Sequence, residues 1–193
     1  MGWMEVSDVD AVARAKAGDR DGFRILVDRH SRTVFRLAFR MTSNEQDAED
    51  VVQETFLKAF RQLNHYEARS SFGTWLYRIA ANCSLDLVRS RRRHDEQHDS
   101  GSGEEDLMLR IPASSPQPDR LAMSGEVGER VHAALGGLSA QERMAFVLRH
   151  FEGQSIEEIG SALGLNTNST KNSIFRAVQK LRRELEPLVS PVR

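Results

Sequence analysis

The sequence predicts an all-α protein, two small helical domains joined by a flexible linker, on three observations. Ala, Leu, Arg and Glu dominate a 193-residue chain with only two Trp and two Tyr, a balance that favours helices over a sandwich or barrel. Apolar residues recur every three or four positions through most of its length. That period vanishes between 94 and 123, where "HDEQHDSGSGEEDLMLRIPASSPQPD" collects Gly, Ser, Pro and acid in the manner of a linker. The expected units are a domain over 1–93, an acidic linker over 94–123 and a second domain over 124–193.

Ser7, with Asp10 three residues on, caps a short helix over 7–18 that Gly18 stops. In the next helix Phe23, Leu26, Val27, His30, Val34, Leu37, Ala38 and Met41 form one buried stripe, on which His30 reads as a packing residue. Ser43 and Gln46 make a capping box. It opens the most regular helix, with Ala48, Val51, Val52, Thr55, Phe56, Ala59, Phe60 and Leu63 on its apolar face. "NHYEARSS" breaks the period, which resumes with Phe72, Trp75, Leu76, Ile79, Ala80, Cys83 and Leu87. Cys83 is the only cysteine; it reads as a small buried hydrophobe and excludes an internal disulfide framework or a cysteine zinc site.

Beyond the linker, Leu121, Val127, Val131, Ala134 and Leu135 support a helix closed by Gly136 and Gly137. "SAQE" caps the next, with Met144, Val147, Leu148 and Phe151 inward. Ser155 and Glu158 cap "SIEEIGSALG", Gly164 supplies the turn, and a last helix buries Ile174, Ala177, Val178, Leu181 and Leu185. That order is a helix-turn-helix.

The net charge of −1 hides opposed blocks. From Arg61 to Arg93, seven arginines face only Glu67 and Asp86, a net of +5; from His94 to Met123 the net is −5. The last helix would turn Asn168, Ser169, Lys171, Asn172, Ser173 and Arg176 outward, short polar groups suited to base edges and phosphates in a major groove. Lys180, Arg182 and Arg183 extend that basic face; the plain alternative is a solvated side of an ordinary helical hairpin. Asp47, Asp50, Gln53 and Glu54 lie opposite the apolar stripe of their helix, with no basic residue between Arg40 and Lys58. Acids in a first turn suit the helix dipole, but Glu54 lies too deep for that, so the stripe reads as a protein-docking face.

No Gly-rich phosphate loop, nucleophile elbow or Ser/His/Asp set is visible, so no catalytic residue, cofactor or enzyme activity is expected. His94 and His98 stand at i, i+4, but Asp95 occupies the place where a zinc protease needs Glu, and no third ligand is near, so no metal site is expected. No apolar run approaches the roughly 18 residues of a membrane span. "MGWMEVSDVDAVARAKAGDRDG" also lacks the apolar core of a signal peptide, and the expectation is a cytoplasmic protein without membrane insertion.

"DAEDVVQETFLKAF", "SSFGTWLYRIAANCSLDLVRSRRR", "LSAQERMAFVLRHFEGQSIEEIGSALG" and "STKNSIFRAVQKLRREL", in that order, resemble the bacterial sigma-70 family, and more closely its extracytoplasmic-function (ECF) group. The resemblance covers residues 20–93 and 125–186. It implies a sigma factor that binds core RNA polymerase (β′ and β subunits) and promoter DNA, the first domain reading and melting the −10 element and the second reading the −35 element. By resemblance, Asp47, Asp50, Gln53, Glu54 and Phe56 dock on the β′ subunit. Asn64, Tyr66, Arg69, Ser70, Ser71 and Phe72 belong to a loop that captures an unstacked base, and Arg78, Asn82, Arg89, Arg91, Arg92 and Arg93 to the helix on the −10 duplex. The helix from Thr167 to Arg183 becomes the −35 reader. Where the family commonly shows "GTVKSRLHRAR" this chain has "NSTKNSIFRAV", so Ser173 and Phe175 replace an Arg and a His. An anti-sigma factor is a further implied partner. Two rivals remain: a stand-alone helix-turn-helix regulator with an N-terminal sensor or dimerisation domain, and a metal-dependent hydrolase using His30, Asp47 and Asp50.

Overall fold

The structure, a computed structural model, describes residues 6–98 and 126–189. These form α1 (Asp8–Lys16), α2 (Arg20–Thr42), α3 (Glu45–Gln62), a 3-10 turn (Leu63–His65), α4 (Phe72–His98), α5 (Glu126–Gly136), α6 (Ala140–His150), α7 (Ile156–Leu163) and α8 (Thr167–Val189). The expected linker overlaps α4 as far as His98, and from residue 99 it lies outside the described residues, as does Leu121.

Helices begin where a side chain can satisfy an orphan N–H group. Ser7 accepts from the Asp10 amide, and Ser139–Glu142 and Ser155–Glu158 form the reciprocal capping boxes their spacing predicts. At α3 the cap is shifted: Asn44 accepts from the Asp47 amide, while Ser43 takes a left-handed φ of 61° as the residue that ends α2. A residue in that conformation cannot also adopt the extended backbone of an N-cap, so the connection needs both residues.

α2, α3 and α4 pack as a bundle, and α1 packs on α2. Leu26, Leu37, Met41 and Leu76 are fully buried in it, at about 1.5–3 kcal/mol each. Cys83 is buried as expected, and burial pushes its thiol above the ordinary range although Lys58 lies 3.6 Å away. His30 is half-buried, its Nε2 2.8 Å from Asp8. In the C-terminal half, Ala134, Leu135, Leu138, Ala177 and Leu181 make a second cluster. The two halves are not held apart: Met144, Ala145, Val147 and Leu148 of α6 and Ile159 and Ala162 of α7 join the same core as α2 to α4.

Two aromatics expected inward are exposed. Phe60 rests edge-on against Phe23 with its other side free, and Phe151 lies over the guanidinium of Arg40 at 4.2 Å. Both stand at the margin of their helix's apolar stripe, where the partner helix decides burial.

Candidate functional surfaces

α3 turns one stripe to solvent. Asp50, Gln53, Leu57 and Phe60 follow at i, i+3, i+7 and i+10, and all four are exposed, Leu57 at 45% and Phe60 at 57%. Glu54 is half-buried, 3.3 Å from the ammonium of Lys58. The other two expected docking residues face inward. Phe56 is in the core, and Asp47 is buried with Arg91 of α4 donating to its Oδ1 while Oδ2 has no partner. Burial raises the Asp47 carboxyl above its usual range despite that guanidinium. Periodicity alone places Phe60 in the core and does not single out Leu57, although both stand at helical spacing from Asp50.

The loop after α3 is built around Tyr66. Its ring is buried, with centroids 5.1 Å from Trp75 and 5.8 Å from Phe72, and its hydroxyl donates to the Ser70 carbonyl at 2.6 Å. Lys16 donates to the Tyr66 carbonyl at 2.6 Å, tying the loop to α1. Ser71 accepts from the Thr74 amide at 3.1 Å and so caps α4. Tyr66 and Phe72 therefore shape the loop from within, and Ser70 is half-buried. Asn64, His65, Glu67, Ala68 and Arg69 stay exposed, with Ala68 at a left-handed φ of 56°, a conformation that costs a non-glycine residue about 1–2 kcal/mol. Arg69 pairs with Glu67 at 2.6 Å.

Along α4 the candidate cluster divides. Asn82, Arg89 and Arg93 are exposed, Arg91 is held to Asp47, and Arg78 donates to Ser161 of α7 at 2.5 Å. The side chain of Arg92 lies outside the described residues.

The turn between α7 and α8 is compact because two glycines permit it. Gly164 takes φ 65°, and a Cβ on Gly160 would meet the Leu165 carbonyl at 2.8 Å. Asn166 accepts from the Ser169 amide, starting α8. Asn168, Lys171, Asn172, Phe175 and Arg176 then form an exposed stripe on α8, continued by Arg182 and Arg183. Phe175, 62% exposed, sits in the middle of it. Ser169 is half-buried, and Ser173 is buried and accepts from Gln141 at 3.1 Å. Lys180 donates to Glu142 at 2.7 Å. Burial works against the Glu142 carboxylate, but the bonds from Lys180 and Ser139 outweigh it and hold the group below the usual range.

The hydrolase residues are not assembled: Asp47 is bonded to Arg91, His30 to Asp8, and Asp50 faces solvent. Among the described residues no cluster of His, Cys, Asp and Glu could hold a metal ion, and no helix is long and apolar enough to cross a membrane.

Two family matches cover both halves: Sigma-70 region 2 over residues 26–94 and Sigma-70, region 4 over residues 128–181. The chain belongs to the sigma-70 family. Among curated relatives it is 38% identical to the ECF RNA polymerase sigma factor SigE of Mycolicibacterium smegmatis, over 81% of this chain and 59% of that protein's length. It is 34% identical to the RNA polymerase sigma-H factor of Pseudomonas aeruginosa, over 94% of this chain and 95% of that one. With the ECF sigma factor SigW of Bacillus subtilis it shares 29% over 96% of this chain and all of that one. These place it in the ECF group of the family. CnrH, solved with the cytosolic domain of CnrY, superposes with a TM-score of 0.66 at 27% identity, covering 95% of this chain and 99% of that one. RpoE of Bartonella quintana, solved with the anti-sigma factor NepR, gives 0.63 at 24% identity, covering 85% and 96%, a likeness of fold. As a sigma-70 region 2, α2 to α4 carry the α3 stripe and the loop; as a region 4, α5 to α8 carry the helix-turn-helix.

Proposed function

We propose that this chain is a cytoplasmic initiation factor, without catalysis of its own, that binds core RNA polymerase and directs it to promoters by reading the −10 and −35 elements. Docking on the β′ subunit is assigned to Asp50, Gln53, Glu54, Leu57 and Phe60. Capture of an unstacked base is assigned to the exposed loop residues Asn64, His65 and Arg69, which Tyr66 and Phe72 hold in shape. Duplex phosphates near −10 fall to Asn82, Arg89, Arg91 and Arg93, and the −35 bases and phosphates to Lys171, Asn172, Phe175, Arg176, Arg182 and Arg183.

The observation that carries this reading is the pairing of an exposed acidic and apolar stripe on α3 with a separate exposed polar stripe on α8. A stand-alone regulator would need the second and has no use for the first. CnrH was solved with the cytosolic domain of CnrY, and RpoE, of like fold, with the anti-sigma factor NepR; a chain of this fold held by a second protein in both supports an anti-sigma factor as a partner here too. The experiment is purified chain plus bacterial core polymerase, tested for specific transcription from genomic fragments of its host. Transcription starts that require the chain support the reading; duplex binding with no starts would favour the regulator.

A further inference from the structure

α1 lies ahead of the residues matched to Sigma-70 region 2, which begin at 26, and it reaches the loop after α3 through Lys16. Lys16, the last residue of α1, donates to the Tyr66 carbonyl at 2.6 Å, with its ammonium 5.8 Å from the centre of the Tyr66 ring. Tyr66 is thereby held at three atoms. Its N–H donates to the Leu63 carbonyl at 3.1 Å, its carbonyl accepts from Lys16, and its hydroxyl donates to the Ser70 carbonyl. Glu67, Ala68 and Arg69 form an exposed arc between the last two of these bonds.

A strut needs a fixed base, and α1 is fixed along its length. In its first turn Asp8 accepts from Arg29 and lies 2.8 Å from Nε2 of His30, both on α2, and Arg29 also donates to the Val6 carbonyl at 2.6 Å. The His30 ring stands 5.4 Å from Phe72, so the same node braces the point where the loop enters α4. At the other end Arg14 pairs with Asp19 at 2.7 Å across the turn into α2. Between them Gly22 lets the two helices approach: a Cβ there would meet the Ala11 carbonyl at 2.7 Å.

We propose that Lys16 is a positioning residue for promoter melting: from α1 it fixes the Tyr66 carbonyl and so holds the arc over 67–69 in the shape that receives an unstacked base. Ala68 supplies the reason for such a hold. Its left-handed φ of 56° is disfavoured for a residue with a Cβ and persists only where neighbouring bonds fix it. An arc released at the Tyr66 carbonyl would relax, and strand binding would then carry the cost of ordering it again. A lysine that closes a helix also suits the helix dipole, but that role acts on stability and not on strand binding. Lys16 acts through the loop backbone, not on a base. The inference rests on base capture by this loop, as proposed above.

The test uses holoenzyme made from the full chain and core polymerase, with a fluorescent single strand spanning the non-template −10 region of a promoter found with the wild type. Lys16→Met keeps the reach of the side chain and removes the donor. It should weaken strand binding about fivefold and slow the fluorescence rise of a base analogue in the duplex promoter by a like factor. Affinity for core polymerase and for an isolated −35 duplex should stay within about twofold. Lys16→Arg, which restores a cationic donor, should recover most of the loss. Amide exchange over residues 67–71 should quicken in Lys16→Met and stay unchanged in α3. Undiminished strand binding by Lys16→Met, or a loss that Lys16→Arg leaves in place, overturns the proposal; so does an equal loss on the −35 duplex, which marks a general defect. A wild-type holoenzyme that binds this strand no better than a scrambled one would instead remove base capture itself.

Discussion

Arg91, near the far end of α4, reaches back to the first turn of α3 and donates to Asp47, whose side chain is only 4% exposed. The pair joins the helix proposed to dock polymerase to the helix proposed to hold DNA, and it withdraws Asp47 from the docking face. Asp47→Asn should therefore leave core-polymerase affinity within about twofold, whereas Asp50→Lys/Glu54→Lys should weaken it about tenfold or more. Fluorescence titration with core polymerase reads both, and equal losses would return Asp47 to the contact surface.

The same carboxyl predicts a pH signature. Burial holds it above the usual range, so its contribution to stability is full below the unfolded value of 3.8 and is lost as pH rises through the higher folded value. Denaturation from acid to neutral pH should show the wild type losing ground to Asp47→Asn as pH rises. A constant difference would contradict the burial assigned to Asp47.

Glu142 behaves oppositely. Its carboxyl lies below the unfolded value of 4.5, held there by Lys180 and Ser139, so it stabilises the fold above that value and the contribution fades as pH falls through the folded one. Glu142→Gln keeps an oxygen for the Ser139 amide but loses the charge facing Lys180, so it should cost about 0.5–1 kcal/mol at pH 7 and less once the pH lies below the folded value. Chemical denaturation of the full chain at both values measures it.

Leu57 and Phe60 are exposed apolar groups on an otherwise polar stripe, the composition of an interface anchor. Leu57→Ala/Phe60→Ala should reduce core-polymerase affinity about tenfold or more while thermal stability changes little. A large drop in stability with intact affinity would make them structural.

On α8, Arg176→Ala should lower duplex affinity across sequences and reduce the slope of log K against log salt by about 0.9. Asn172→Ala and Phe175→Ala should instead change preference at individual −35 bases, an exposed ring being suited to a thymine methyl group. Ser173→Ala should leave preference unaltered, since Ser173 is buried against Gln141. Selection from a randomised −35 library with each variant holoenzyme distinguishes these outcomes.

In the loop, Tyr66→Phe removes the hydrogen bond to Ser70 and should loosen the loop, whereas Asn64→Ala/Arg69→Ala should leave the fold intact and abolish the fluorescence rise of a base analogue in the −10 non-template strand. A normal rise in the second variant would exclude those residues from base capture.

Helix order, both capping boxes, the Gly164 turn and the burial of Cys83 were legible in the sequence because each depends on residues within one or two helical turns. The family resemblance was legible for the same reason, as four ordered local patterns. What periodicity could not decide was the fate of residues at the margin of a stripe, where a neighbouring helix sets exposure: Phe60 turned outward, Ser173 turned inward, and Asp47 went to Arg91 44 positions away. The cap at Asn44 depended on Ser43 being taken by the end of the preceding helix. The sequence by itself determined two amphipathic helical units, and a +5 block followed by a −5 stretch. Only tertiary structure decided that α6 and α7 close over α2 and α4 through Glu152, because a carboxylate's choice between water and a guanidinium 112 residues away depends on which surfaces come together.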